Sequence, residues 1–356
     1  MGSRRSLAKS GALLVGLLVA VRTGGEDPRT IAAREQLSPA VRRSVARGLE
    51  WLVRCQARLG TGDFDAEVPV AANALGGLAL LASGTTEVSG PPEHVRALRR
   101  ATRALLRYQT KGGYFDDAAS VMYGHGFATL FLAELYGTSH VRSRELRDAL
   151  RRAIEVIERS QSAEGGWDYF PHEDFGGQAK LGSDSSISVC QTMALRSARN
   201  LGLRVDTGVV GLARTYILGA QNADGGFRYR RLTDYLSSRS AFARSAAGIC
   251  ILYSLYVPGD TTSDAIRRGF DYLEREYRSA KLDFPYYGHY YCAQAMYQAG
   301  GKFWSDYFEF VSERLIDSQR EDGGWRAGQR ENDAQATAMA LIILQLPNGF
   351  LPIHER

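Results

Sequence analysis

The sequence predicts an all-α fold, a closed (α/α)6 toroid of six helix pairs over residues 39–346. The first observation is a recurring turn phrase, Gln-x-x-x-Gly-Gly-aromatic, found as QSAEGGWDYF, QNADGGFRYR and QREDGGWRAG. The second is its period: Gln56, Gln109, Gln161 and Gln221 follow one another at 53, 52 and 60 residues, and Gln319 comes 98 residues later, about two periods. The third is that amphipathic and apolar helical stretches alternate.

The first helix of each pair is amphipathic and precedes the turn. Its apolar residues recur at three- and four-residue intervals with Arg and Glu between them, which is typical of a helix with one buried face. The six stretches are SVARGLEWLVRCQ, ALRRATRALLRYQ, ALRRAIEVIERSQ, GLARTYILGAQ, AIRRGFDYLEREY and YFEFVSERLIDSQ. The fifth lacks the marker glutamine, and Glu276 stands near its expected place.

The second helix of each pair is apolar nearly all round, as in AANALGGLALLA and AQATAMALIILQL. Such a helix must be buried on most sides, so six alternating pairs predict two concentric layers. An open superhelix of stacked pairs has the same pattern. Irregular repeat lengths and the lack of a polar capping repeat favour closure.

The turn phrase has a structural explanation. Gly-Gly permits a positive φ where the outer helix ends, the glutamine amide can bridge backbone groups, and the aromatic ring can stack over the turn. We therefore expect structural clips that tighten the joint between each outer helix and the next inner helix. The clip residues are Gln161, Trp167, Gln221, Phe227, Gln319 and Trp325.

The N-terminus predicts export to the periplasm or cell surface. Arg4, Arg5 and Lys9 precede the apolar run 11–21, so residues 1–24 are interpreted as a signal peptide of the twin-arginine kind or as an uncleaved anchor. Membrane contact is then at most peripheral or through this anchor, and residues 347–356 form a C-terminal tail. Without the four basic residues of this segment the chain has 40 basic and 39 acidic residues, which does not indicate nucleic-acid binding.

The repeated phrase resembles the repeat of squalene and oxidosqualene cyclases and of protein prenyltransferase β subunits. The stretch ATAMALIILQLPNGFLPIHER also resembles exported bacterial proteins that carry prenyltransferase and squalene-oxidase repeats. The resemblance implies an (α/α)6 toroid and a central cavity lined by small and aromatic side chains. It further implies an apolar, isoprenoid-like ligand, for which Tyr123, Tyr287 and Tyr290 are candidate contacts.

The acidic motif that cyclase chemistry requires is incomplete in this sequence. Related cyclases protonate an alkene or epoxide with an Asp-x-Asp-Asp cluster, which is missing here. Asp184 and Asp333, each opening an inner helix, are the nearest equivalents and the candidate catalytic acids. Both positions also suit ordinary helix capping, so the cap stays open as an alternative.

Two histidines are further candidates. His125 and His289 each follow a Tyr-Gly pair at the start of an inner helix, where they either converge at the mouth to position or shuttle protons or belong to a repeat-specific cap. His289 and Cys292 are spaced like metal ligands, but the Asp-x-Cys pair of the zinc-dependent relatives is missing. We therefore expect no zinc and no other cofactor. The four cysteines are expected to be free thiols.

Three functions follow from these residues. The first is a cyclase- or prenyltransferase-like toroid that binds or transforms an apolar ligand. The second is a non-enzymatic scaffold whose face binds a protein or a glycan. The third is a carbohydrate-active barrel with two carboxylates across a groove, drawn from Asp63, Asp65, Asp116, Asp117, Asp184 and Asp333. The sequence does not decide between a catalytic and a binding role.

Overall fold

Two concentric rings of helices build the molecule. The computed structural model describes residues 37–138, 143–171, 182–230, 238–255, 262–279, 285–328 and 332–354. The outer ring consists of α1 (Pro39–Leu59), α3 (Pro92–Arg107), α5 (Arg144–Arg159), α7 (Thr207–Gly219), α9 (Thr262–Glu276) and α11 (Gly301–Ser318). The inner ring consists of α2 (Pro69–Ala82), α4 (Val121–Thr138), α6 (Ser185–Asn200), α8 (Phe242–Ser254), α10 (Pro285–Ala299) and α12 (Asp333–Gln345).

The inner ring is closed. Each inner helix packs against the next one, and α12 packs against α2. The Gln345 amide also donates to the Ala79 carbonyl over 3.1 Å across that last interface. Every residue of α2 is buried, as expected for a helix that is apolar on all sides. The predicted all-α toroid is confirmed, and the open superhelix is excluded.

The glutamine of each turn phrase connects two consecutive outer helices. Its side-chain nitrogen donates to a glycine carbonyl of its own turn and to a carbonyl in the next outer helix. For Gln221 the acceptors are Gly225 at 3.0 Å and Ala265 of α9 at 2.8 Å. Gln319 bonds Gly323 at 2.8 Å and Ser44 at 2.9 Å, so the last turn is joined to α1. The sequence analysis placed this joint between an outer helix and its inner partner.

The outer-to-inner joint is made by the backbone of the aromatic residue instead. Its N–H donates to a side chain one turn into the following inner helix. The pairs are Trp167 to Ser188 at 3.0 Å, Phe227 to Ser245 at 2.9 Å and Trp325 to Thr337 at 2.9 Å. In the two tryptophans the indole N–H also donates to the preceding outer helix, to Ile157 and Leu315. All three rings are fully buried.

The fifth pair is built differently. Tyr277, and not Glu276, stands at the marker position, because Tyr277 lies 12 residues after Ala265 just as Gln221 lies 12 after Val209. Its ring packs edge-on against Tyr307 of α11 with centroids 5.2 Å apart. An aromatic contact therefore replaces the amide clip between α9 and α11.

The C-terminal segment covers the end of the inner ring where the inner helices finish. Two short 3-10 helices, Leu346–Asn348 and Pro352–His354, follow α12. The Ile353 N–H donates to the buried Glu134 carboxylate over 3.1 Å, and Asn348 donates to the Ala82 carbonyl. This end of the inner ring is thereby covered by the chain itself.

The predicted signal or anchor, residues 1–24, lies outside the described residues. Among the helices that are described, none has the combination of length and hydrophobicity needed to span a bilayer. Cys55, Cys190, Cys250 and Cys292 are free thiols, and all but Cys55 are buried.

Candidate functional site

The helix N-termini of the inner ring meet at one end of the toroid, and a group of polar side chains lies there. We call Tyr123, Tyr169, Asp184, Tyr229 and Tyr287 the mouth cluster. The third and fourth turns position it: the Asp184 N–H donates to the Trp167 carbonyl over 2.8 Å, and the Ser185 N–H donates to the Tyr229 carbonyl over 3.1 Å. The start of α6 is thereby held between the two turns that carry Tyr169 and Tyr229.

Asp184 is the acidic member of the cluster and is fully buried. Its Oδ1 caps α6, accepting from the Ser186 N–H at 2.7 Å and the Ser186 hydroxyl at 2.6 Å. Its Oδ2 accepts no hydrogen bond of ordinary geometry, although the hydroxyls of Tyr169 and Tyr229 lie close to the carboxyl. Burial raises the pKa of Asp184; the Ser186 hydrogen bonds and the nearby hydroxyls of Tyr229 and Tyr169 oppose this increase. The side chain is therefore both a helix cap and a carboxyl that is unusually easy to protonate.

The tyrosine hydroxyls of the cluster are linked by hydrogen bonds. Tyr169 and Tyr229 share a hydrogen bond of 2.6 Å. Tyr287 donates to the Ser186 carbonyl over 2.7 Å, and Tyr123 is hydrogen-bonded to the Ser186 hydroxyl. Burial, and then the Asp184 charge, raise the pKa of Tyr169 and Tyr229, so both remain neutral phenols.

Basic side chains border the cluster. Arg230 lies 3.6 Å from the Asp168 carboxylate, and the two side chains are only 12% and 15% exposed. The guanidinium groups of Arg230 and Arg244 lie 5.5 and 5.6 Å from the centre of the Tyr229 ring. The two arginines therefore place positive charge beside Tyr229, at the edge of the mouth cluster. Asp184 itself carries no charge when it is protonated.

Below the mouth, aromatic side chains fill the centre of the inner ring. Helices α4 and α10 are opposite each other in that ring, yet Tyr123 and Tyr287 have ring centroids 6.2 Å apart, and so do Phe127 and Tyr290. The expected ligand cavity is occupied by protein at these two levels because large rings stand at facing positions. Tyr123 and Tyr287 are half-buried at the mouth, whereas Tyr290 is buried beneath them. The level of Tyr290 therefore leaves no room for a ligand.

His125 lies apart from the mouth cluster and has both ring nitrogens occupied. Its Nδ1 accepts from the Phe115 N–H at 3.2 Å, and its Nε2 lies 3.1 Å from the Ala153 carbonyl. Burial lowers its pKa to about 4, so the ring is neutral and Nε2 donates. His125 takes the same place as the hydroxyls of Ser188 and Ser245, receiving the turn's N–H. This geometry suits a structural joint, the alternative to proton transfer.

His289 is the corresponding residue of α10 and also lies outside the mouth cluster. Its Nδ1 is 2.9 Å from the Tyr307 hydroxyl, while its buried Nε2 has no hydrogen-bond partner. Burial lowers its pKa to about 3, assisted by Arg314. Cys292 is fully buried, which raises the pKa of its thiol. Within the described ranges, no three His, Cys, Asp or Glu side chains converge as a metal site would require.

Asp333 begins α12, which lies opposite α6 in the inner ring. Its carboxylate is paired with Arg320 over 2.6 Å and accepts from the Ala327 N–H at 2.8 Å. The N-cap itself is Asn332, whose side chain accepts from Gln335. Asp333 is thus held in an ion pair at a partly exposed position, whereas Asp184 is fully buried and has no arginine partner in the described structure.

The sequence analysis missed Tyr169, Tyr229 and Arg230 as site residues. A signal was present: Tyr169 and Tyr229 occupy the same place in two phrases, two residues after the buried aromatic. Because the phrase was interpreted as a turn alone, the residues that follow it were not considered as a pair facing Asp184.

No known protein family and no curated protein matches this sequence. Solved structures do match its fold. A variant of the type II terpene cyclase MstE from Scytonema, bound to its substrate geranylgeranyl dihydroxybenzoate, has 13% identity and a TM-score of 0.58 over 88% of this chain and 98% of its own. The unsaturated glucuronyl hydrolase of Bacillus sp. GL1 has 11% identity and a TM-score of 0.64 over 86% and 96%.

An inactive variant of an α-1,6-mannanase from a Salegentibacter species, in complex with a mannotetrose, has 8% identity and a TM-score of 0.64 over 88% of this chain and 100% of its own. The chain therefore has the terpenoid cyclase-like (α/α) toroid fold, an architecture that glycosidases share. At these identities the similarity defines the fold alone.

Proposed function

We propose that the mouth of the toroid binds an apolar, isoprenoid-like ligand and that Asp184 donates a proton to it. The observation that carries this proposal is the fully buried Asp184 carboxyl, which uses only Oδ1 for its helix cap and lies against the neutral hydroxyls of Tyr169 and Tyr229. The fold supports it by analogy, since MstE has a substrate with a geranylgeranyl chain. Export, expected from the N-terminus, belongs to the same proposal.

The chemistry is protonation of a carbon–carbon double bond. The Asp184 O–H bond breaks as a C–H bond forms on the alkene, leaving a carbocation and a carboxylate. The Ser186 hydrogen bonds stabilise that carboxylate, and the faces of Tyr123, Tyr169 and Tyr287 can stabilise the cation. A second double bond of the ligand attacks the cation and closes the ring, and the cyclised cation then gives up a C–H proton to the Asp184 carboxylate, which yields a new alkene and restores the acid.

Deuterium transfer tests this step. The purified full-length protein is incubated in D2O with geranylgeraniol or squalene, and extracts are analysed by gas chromatography–mass spectrometry. We expect a cyclised product carrying one solvent deuterium, and none with Asp184→Asn, which keeps the cap but has no acidic proton. Asp333→Asn, at the opposite side of the inner ring, is the matched control and should form product. Equal product from both variants would remove Asp184 from the reaction.

The filled centre favours one alternative, a binding module without turnover. In that case geranylgeraniol binds at the mouth with similar affinity in the wild type and Asp184→Asn, and no deuterated product forms in either. Isothermal titration with the two proteins separates the cases. A carbohydrate-active barrel would instead release sugar from an α-1,6-mannan oligosaccharide and bind neither terpene.

A further inference from the structure

Four positions of each outer helix face away from the inner ring. They lie 13, 10, 6 and 2 residues before the marker position of the following turn, and the buried residues of the helix lie on its opposite side. In α3 these positions form a basic stripe, Arg96, Arg99, Arg103 and Arg107, and all four are exposed. In α11 they form an acidic stripe, Asp306, Glu309, Glu313 and Asp317, of which only Asp306 is half-buried.

The other outer helices combine both signs at these positions or carry no charge. The α5 residues are Asp148, Arg151, Glu155 and Arg159, and the α9 residues are Asp264, Arg267, Asp271 and Arg275. Opposite charges pair within these two helices, as Arg151 does with Glu155 at 3.0 Å. The α1 residues are Arg43, Ala46, Glu50 and Arg54, and the α7 residues are Gly208, Gly211, Thr215 and Gly219. Of the six described outer helices, α3 and α11 are thus the two with a stripe of one sign.

Each stripe is electrostatically unfavourable in a single molecule. Its last three residues follow one another at four-residue spacing, at which like charges repel and destabilise a helix. Arg99 donates to the Glu87 carbonyl over 2.7 Å, and Arg107 donates to the Thr61 carbonyl over 3.0 Å. A neutral carbonyl does not cancel the charge of its donor, so the basic stripe remains positive.

Nearby residues cancel little of this charge. The acidic residue of α3 is Glu93, in the first turn. In α11, Lys302 is paired with Asp306, and Arg314 is turned by about 100° from the stripe residue before it. The other three acidic residues of that stripe have no ion pair within the described part of the chain. The undescribed residues 280–284 contain one lysine and one aspartate, which leave the balance unchanged.

The repeat places the two stripes at the same level of the molecule, because they occupy equivalent positions 210 residues apart. When α3 of one copy faces α11 of another with parallel ring axes, Arg96 lies opposite Asp306, and the other three pairs follow in register. Lys302 of one copy then lies next to Glu93 of the other. Opposite charges therefore meet along the two helices without any shift.

We propose that the basic stripe of one copy binds the acidic stripe of a second copy of this chain. Because α1 separates α3 from α11 in the outer ring, the two stripes belong to different faces. A pair of copies keeps one free stripe of each sign, so the contact can repeat. The assembly grows beyond a dimer and weakens with salt. This contact does not depend on the proposed function of the mouth.

Sedimentation velocity of the full-length protein tests the contact. At about 0.05 M NaCl the charges attract across the interface, whereas about 0.5 M screens them. We expect species larger than the monomer, growing with protein concentration, at the lower salt, and an association weakened by about tenfold or more at the higher salt. A wild type that stays monomeric at every concentration would overturn the proposal. Its retention on immobilised heparin would then assign the basic stripe to an anionic polymer.

Charge-reversed variants locate the contact. The first variant carries Arg96→Glu and Arg103→Glu, and the second carries Glu309→Arg and Glu313→Arg. Each should lose self-association, because one of its stripes no longer has a single sign. A mixture of the two keeps one native contact, between the basic stripe of the second variant and the acidic stripe of the first. We therefore expect the mixture to form a 1:1 complex that grows no further.

The control has the same change of net charge as the first variant. Arg199→Glu with Arg204→Glu alters two exposed arginines at the end of α6 and just before α7, and α7 lies across the ring from α1. This variant should associate as the wild type does, and circular dichroism checks the fold of all three. Unchanged association of a stripe variant, its loss in the control, or a mixture that stays monomeric would contradict the contact.

Discussion

Replacing Gly225 by alanine tests whether the turns hold the outer ring together. Gly225 has a φ of +90°, a region in which other residues are strained. A Cβ there would lie 2.2 Å from the carbonyl oxygen of Arg268 in α9 and 2.8 Å from its carbon. Both atoms are backbone, so no side chain can rotate away. The turn and the helix must separate.

The cost can be worked out from these distances. A non-glycine residue at such a φ costs about 1–3 kcal/mol. Moving the turn away from α9 by about an ångström also stretches the bond of 2.8 Å from Gln221 to the Ala265 carbonyl, worth about 1 kcal/mol. Alanine also restricts the unfolded chain, which offsets about 0.4–1 kcal/mol of this loss of stability. The net loss is about 1–4 kcal/mol, a sizeable part of a typical stability of about 5–15 kcal/mol.

Thermal unfolding followed by circular dichroism measures this effect. We expect the melting temperature of Gly225→Ala to fall by about 2–6 °C. The control is Gly211→Ala in α7, because a Cβ at Gly211 meets nothing within 4 Å. Alanine there should stabilise the helix by about 0.5–1 kcal/mol. Equal melting temperatures for the two variants would refute the interpretation of the turn as a wedge between outer helices.

Three further predictions follow from the contacts described. Gln319→Ala removes the hydrogen bond to Ser44 of α1 and the one to Gly323 within the turn, so urea unfolding should show a loss of about 1–3 kcal/mol; an unchanged midpoint would contradict ring closure by this side chain. The pKa of His125 is lowered from 6.5 to about 4, so the unfolded state binds the proton first and stability falls as the pH drops below 6.5, by about 2 kcal/mol at pH 5. His125→Asn introduces the residue that α2 has at position 73 and should reduce the loss of stability between pH 7.5 and pH 5 by that amount. The same loss in the variant and the wild type would argue against a lowered pKa of His125. The pKa of Asp184 is raised, so its burial favours the folded state only at low pH and this contribution is lost as the pH rises through the folded pKa. Asp184→Asn should therefore melt at a higher temperature than the wild type at pH 7, with a smaller gain at pH 3.5, and a lower melting temperature at pH 7 would show that the carboxylate is stabilising.

The architecture could be predicted because it repeats. The phrase around Gln161, Gln221 and Gln319 marks the ends of three outer helices, and the apolar stretches between them can be stable only when covered on all sides. Which helix the glutamine reaches could not be predicted, since the acceptors Ala265 and Ser44 lie 44 residues after and 275 residues before their donors. Only the curvature of the ring brings them together.

The candidate site was harder to predict. Asp184 was selected for its type and its place at a helix start, but the same features selected Asp333, which is paired with Arg320. What distinguishes them is burial and the partner of the second oxygen, and neither is written in the local sequence. His125 and His289 share a Tyr-Gly approach because they share a place in the repeat, so the similarity reflects architecture.

The repeat itself helps to separate structural from functional polar groups. Some polar side chains have counterparts in the other helix pairs, as His125 has in Ser188 and Ser245. These side chains make the same structural hydrogen bond in each pair, so no ligand is needed to explain them. Tyr169, Asp184 and Tyr229 form a contact set on one side of the mouth, where two neighbouring turns meet at α6. The Asp184 carboxyl is costly to bury, its cap needs only one oxygen, and the hydroxyls of Tyr169 and Tyr229 offset part of the cost. The cap alone does not explain that cost, whereas the proton donation proposed above would.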